Sequence, residues 1–208
     1  MADTVIYLSS GSSWSVPADF GPNNTIETIA AGGGSGGCYT SSGKSNAGSG
    51  GGGGGAYAKT TNLALTPNST ATISIGVAGT AGTGGASGTA GGAGGSTWLS
   101  NTGSAPTTSS EGALAVGGSG GAFSGTNTFS NGGQGGLAAS CIGTTTYSGG
   151  AGANAANPGA VYGGGGGGSP RHSLGEAVDS PRGRGLVDRR GWREPWKRFP
   201  FFRRYLAR

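Results

Sequence analysis

The chain is 208 residues long, room for one domain with an appendage. Leu, Ile, Val and Phe number only 28, well under the ~20% below which a chain usually cannot offset its conformational entropy, so a large apolar core is excluded. Residues 1–168 carry net charge −2 and residues 169–208 carry +7, so the net basicity belongs to the last 40 residues and is no nucleic-acid footprint of the whole chain.

Of the 51 glycines, 47 lie in residues 1–168. A core-poor chain with almost no charge has no self-repulsion to hold it open. Backbone hydrogen bonding between closely packed glycine segments can then order it. Val5–Leu8 and Ser12–Val16 alternate as strands, with Trp14 and Val16 on one face, Gly11 between them and Pro17 ending the second. Thr25–Ala30, with Ile26 and Ile29 either side of Glu27, is a third strand and runs into a glycine block. Gly50–Gly55 leads into Ala56–Leu65, where Tyr57, Lys59, Leu63 and Leu65 share one parity. Thr66-Pro67-Asn68-Ser69 reads as a turn, and Ala71–Val77 follows with Ile73, Ile75 and Val77 on one face. These two runs predict a β-hairpin, and the ordered β part is expected within residues 5–77. No helical periodicity is present, and the Gly, Ser and Thr density opposes an α-helix.

From Gly79 to Gly168, short apolar words stand in glycine: Thr97-Trp98-Leu99, Ala113–Val116, Phe123, Phe129, Leu137, Ile142, Tyr147 and Val161-Tyr162. Gly-Gly-x-Gly-Gly recurs between them. Three residues per turn is the repeat of a polyproline II type helix, and side-chain-free helices of that kind could pack with amides meeting carbonyls; the alternative is flexible linker. The expected fold class is mainly β with long glycine-rich loops or polyglycine II type segments. The expected domains are residues 1–168 and a basic, Arg- and aromatic-rich tail, residues 169–208, that is disordered.

Chemistry is scarce. Gly36–Ser45 approaches the phosphate-loop pattern, but Cys38 stands where its first glycine belongs and the following glycines cannot build the required helix. His172 is the sole histidine and lies in the tail, so no histidine-based metal set or nucleophilic triad is available. The expectation is a protein that is no enzyme and takes no cofactor or metal. Cys38 and Cys141 form no C-x-x-C pair and are expected as free thiols. Asp3 and the short Val5–Leu8 run do not make a secretory leader, so synthesis in the cytoplasm is expected. Tyr39, Trp98, Phe123, Phe129, Tyr147 and Tyr162 are the candidate recognition residues, because aromatics among glycines offer large contact area at low entropy cost. The competing reading makes them the few core anchors of a glycine bundle.

Ser13-Trp14-Ser15-Val16-Pro17, Ile26-Glu27-Thr28-Ile29 running into glycine, and Gly50–Ala56 with Tyr57 form a pattern with Leu63-Ala64-Leu65-Thr66-Pro67 and Ile73-Ser74-Ile75-Gly76. Over about residues 5–168 it resembles the glycine-rich domain of phage tail fibre, tail-tip adhesin and prophage-derived bacterial proteins. The resemblance implies a small β-sandwich carrying glycine-rich loops or polyglycine helices. It also implies virion structure or host recognition, with a host cell-surface glycan or protein, or other tail proteins, as partner. The tail departs from the family, and two readings of it stand. Glycine codons read one base early encode Arg, Trp or Gly, the residues of Gly183-Arg184-Gly185 and Arg189–Arg193, which points to a shifted frame near residue 168. A genuine basic peptide would instead use Arg189, Arg190, Arg193, Lys197, Arg198, Arg203 and Arg204 on an anionic membrane or nucleic acid.

Overall fold

The structure is a computed structural model and describes residues 4–39, 48–125 and 130–155. Alternation builds its strands. In Thr70–Ser74, Ala71 and Ile73 turn inward and Thr70 turns out. Ile73 is in register with Leu99, and Leu99 with Ala113, so one row of apolar side chains crosses three strands. Among the described residues seven strands form two antiparallel sheets. The first holds β1 (Ser13–Ser15), β4 (Thr70–Ser74), β5 (Thr97–Ser100) and β6 (Gly112–Ala115), in the order β1-β4-β5-β6. The second holds β2 (Thr25–Ile29), β3 (Tyr57–Thr61) and β7 (Thr145–Tyr147), in the order β2-β3-β7. β2 lies over β5 and β6, and β3 over β6, which makes a sandwich. Its core is Val16, Leu63, Ala71, Ile73 and Leu99, with Leu8, Trp14, Phe20 and Ile26 packed against them. The protein is mainly β, and the described residues include one 3-10 turn, Ala138–Ser140, and no α-helix.

Three expectations are corrected. Val5–Leu8 is not a strand; Val5, Ile6 and Tyr7 stand exposed. The turn at Thr66–Ser69 forms, with Ser69 N donating to Thr66 O at 3.1 Å and Asn68 at φ 60°. It joins no hairpin, because β3 and β4 belong to different sheets. The cause lies at Asn62, whose φ of 57° breaks the strand, while Asn62 N donates to Asn24 O and Leu63 N to Asn24 Oδ1. Beyond that kink the parity is lost: Leu63 enters the core of the sandwich, whereas Lys59 stands opposite Glu27 on the second sheet. Finally, the β part does not stop at residue 77, since the apolar words after it supply β5, β6 and β7.

Glycine segments extend six of the seven strands. The first segment (30–38) follows β2, the second (50–56) leads into β3, the third (76–85) follows β4 and the fourth (88–95) leads into β5. The fifth (116–124) follows β6, the sixth (130–137) returns from it, and the seventh (149–155) follows β7. The first donates to the second through Ala30, Gly33 and Gly36, and to the fourth through Ala31, Gly34 and Gly37. Both ladders advance three residues at a time, the polyproline II repeat. Gly79 and Gly82 of the third donate back to it, as do Gly118 and Gly121 of the fifth. The second donates to the fifth (Gly50, Gly53, Ala56) and the seventh (Gly51, Gly54), and the sixth and seventh are joined by Gly149, Gly152 and Ala155. These ladders arrange the segments as a two-layer slab, third-first-second-seventh over fourth-fifth-sixth.

Glycine is needed there for closeness. A Cβ at Gly33 would overlap Ser119 O, one at Gly37 would overlap Thr83 O, and one at Gly120 would overlap Gly91 O. Position in the slab therefore sets the pattern. The third segment, bonded only to the first and fourth, keeps glycine at every third position, Gly76, Gly79 and Gly82, and points Val77, Ala78, Thr80 and Ala81 away. The fifth, flanked by four neighbours, reads Gly117-Gly118-Ser119-Gly120-Gly121-Ala122, with one side chain in three. Alanines close the passage from slab to sandwich, where Ala30, Ala56, Ala58 and Ala115 pack with Cys141.

Candidate recognition tip

A polyproline II chain rises ~3.1 Å per residue, so the first segment carries its far end ~25 Å from the sandwich. Backbone bonds join the described ends of the segments there. Cys38 bridges Ser124 in parallel, Tyr39 N donates to Ser124 O at 2.9 Å, and Gly85 N donates to Cys38 O at 3.0 Å. The turn between the third and fourth segments is closed by Thr89 N to Thr83 O at 3.0 Å and by their two hydroxyls at 3.2 Å, with Gly85 at φ 115°. The Phe123 ring lies over Gly88, where a Cβ would overlap it. Ala155 N donates to Ser130 O at 2.9 Å and ties in the last two segments. Tyr39 and Phe123 are thus held, half-buried, on a backbone-bonded platform.

The other candidate aromatics lie elsewhere. Trp98 sits on β5 in register with Ser74 and Leu114, and Ile142 bridges Leu114 from the far side, so an apolar row runs along the first sheet. Tyr147 is exposed on β7 and stacks on Tyr57 at 5.8 Å between ring centroids. Phe129, Tyr162 and the seven basic tail residues fall outside the described residues, as do Lys44 and His172. Of the phosphate-loop pattern, the Gly36 and Gly37 amides are engaged: Gly36 N donates to Gly50 O and Gly37 N to Thr89 O, both at 2.9 Å.

Sequence reasoning missed two features. Burial, and then the nearby Glu27 carboxylate, push the Tyr57 phenol up to about 12. The parity that placed Tyr57 beside Lys59 held part of that signal, but the neighbour across the strand pair required the register. The second is a cavity of about 160 Å³ between the fifth and sixth segments, lined by Val116, Ser119, Gln134, Leu137 and Ser140 with no charged side chain. Both cysteines are free: Cys38 is half-buried at the tip, and Cys141 is buried at the junction, where desolvation pushes its thiol up. Among the described residues no group of three metal-ligating side chains occurs, and no helix is long and apolar enough to cross a membrane.

The glycine-rich domain family matches the chain over residues 8–192, most of its length. The chain belongs to that family. No curated protein matches it. In this glycine-rich domain the family's defining residue is what allows seven segments to lie at backbone distance. The match also runs past the change of composition at Ser169.

Proposed function

We propose that this glycine-rich domain is a non-enzymatic recognition and structural module of a phage or prophage-type particle, which meets a host surface with its tip. The observation behind this reading is the backbone-bonded end of the slab away from the sandwich, which carries Tyr39 and Phe123. The sandwich is then the end that joins the rest of the particle. A host-surface glycan or protein is the ligand, met by aromatic faces and backbone groups.

The test is binding of fluorescently labelled protein to a panel of bacterial cells and to their isolated surface glycans and outer proteins. Tyr39→Ala and Phe123→Ala should abolish binding while leaving the thermal transition in place. Binding that survives both changes, or that is lost instead with Trp98→Ala or Tyr147→Ala, overturns the assignment to the tip.

A further inference from the structure

Among the described residues the first sheet has four strands and the second three, and β2 is one edge of the second. In an antiparallel pair, alternate residues turn their backbone groups toward the partner. Asn24 O receives Asn62 N and Ala30 N reaches Ala56 O, so the intervening even-numbered residues face β3. Thr25, Glu27 and Ile29 therefore aim their N–H and C=O groups outward, and none of these makes a hydrogen bond. Ile29 is 57% exposed at this open edge. With five residues β2 is also the longest of the edge strands, since β1 and β7 have three residues each and β6 has four.

The same chain carries an unpaired strand former. Val5-Ile6-Tyr7-Leu8 is apolar and uncharged, and residues 4–11 make no backbone hydrogen bond. Val5 is 69% exposed, Ile6 48% and Tyr7 89%, while Leu8 is anchored on the core. Those exposures alternate as a half-docked strand's would: Ile6 shares the parity of half-buried Leu8, and Val5 shares that of Tyr7. β2 has the matching alternation, with Ile26 inward and Thr25, Glu27 and Ile29 outward.

We infer that residues 5–7 of one copy add to the open edge of β2 in a second copy, as the fourth strand of its second sheet. Strand addition supplies main-chain hydrogen bonds for affinity and alternate side chains for register. Ile6 then lies on the core side beside Ile26, and Val5 and Tyr7 lie on the outer side near Ile29. The occupant is a second copy because the chain's own arm leaves its own edge unbonded while Leu8 stays seated. Exchange of identical elements between two protomers gives a closed, two-fold assembly. An uncharged arm also suits an edge whose one charge, Glu27, points outward.

Sedimentation equilibrium of the full chain across a concentration series tests this. The unmodified chain should show a monomer–dimer equilibrium. A Val5→Asp, Tyr7→Asp double variant should weaken it at least about tenfold, and so should Ile29→Lys; all three positions are exposed, so folding should not change. Mixing the arm variant with the edge variant should restore part of the association, because one of the two junctions in that heterodimer is intact. A chain that stays monomeric at its solubility limit overturns the inference. So does a dimer unaffected by either variant, or one that the mixed variants fail to recover.

Discussion

Gly33→Ala tests whether close backbone approach holds the slab. The new Cβ would overlap the carbonyl oxygen of Ser119, and since that obstacle is backbone, no rotamer relieves it. The first and fifth segments must part, stretching the bonds that flank the point, Gly118 N to Ala31 O at 3.0 Å and Gly121 N to Gly34 O at 2.9 Å. Overpacking costs about 1–3 kcal/mol, and two backbone bonds at about 1 kcal/mol each bring the loss to about 3–5 kcal/mol. Against a total stability of ~5–15 kcal/mol this is severe, and at about 2–4 °C per kcal/mol it lowers the melting midpoint by about 6–20 °C. Gly32→Ala is the control, since its Cβ meets nothing closer than Gly53 O at 3.2 Å; a change within about 1 kcal/mol is expected there, with part of any strain offset by a stiffer unfolded chain. Scanning calorimetry of both variants decides the matter. Equal midpoints would refute the account of the slab as a close-packed backbone assembly.

In the native protein a thiol reagent should modify Cys38 first, with Cys141 reacting only at higher pH or on unfolding, because burial keeps its thiol protonated; equal rates under native conditions contradict the buried junction. The raised Tyr57 pKa means that its contribution to stability is complete below the ordinary value of 10.0 and is lost as pH climbs toward about 12. Alkaline unfolding in that window is expected, and Glu27→Gln should lower the late tyrosinate step seen in ultraviolet absorbance without returning it to the ordinary value, since burial is the larger cause. Glu111 accepts from Thr107 N at 2.7 Å and from its hydroxyl at 2.9 Å, which holds its carboxyl below the usual range. The small stability it confers is therefore present above the ordinary value and fades as pH falls; carbon NMR of the carboxyl should show the depressed titration, and Thr107→Val should raise it. Asn68→Val forces a branched side chain to φ 60° and should cost about 1–2 kcal/mol by urea unfolding, whereas Asn68→Gly should cost little.

Local patterns were legible and pairings were not. Alternation located β2 and β4, residue type located the turn at Thr66–Ser69, and the three-residue glycine repeat pointed to polyglycine helices. The hairpin failed because one positive-φ residue, Asn62, redirected the chain between sheets, and nothing in the residue types of Thr60-Thr61-Asn62-Leu63 separates such a kink from a continuing strand. β5 to β7 were undervalued because each is only three or four residues long and borrows its order from neighbours. Aromatic identity singled out Tyr39, Phe123, Trp98 and Tyr147 alike, and only the fold separates them, with Tyr39 and Phe123 at the far end of the slab and Trp98 and Tyr147 on strands of the sandwich. One readable signal went unused: glycine at one position in three marks the third segment, with two neighbours, and glycine at two in three marks segments with three or four.

The slab's hydrogen bonds repeat every third residue, so its height can change only in certain steps. Adding or removing three residues, ~9.3 Å of rise, in two connected segments returns every amide to an equivalent carbonyl, whereas one or two residues would misalign whole ladders. Insertions at the far turns carry no such constraint. Chains of this kind should therefore differ in length by multiples of three within their glycine runs and by any number at the tip, so that reach and surface chemistry can diverge independently on one unchanged base.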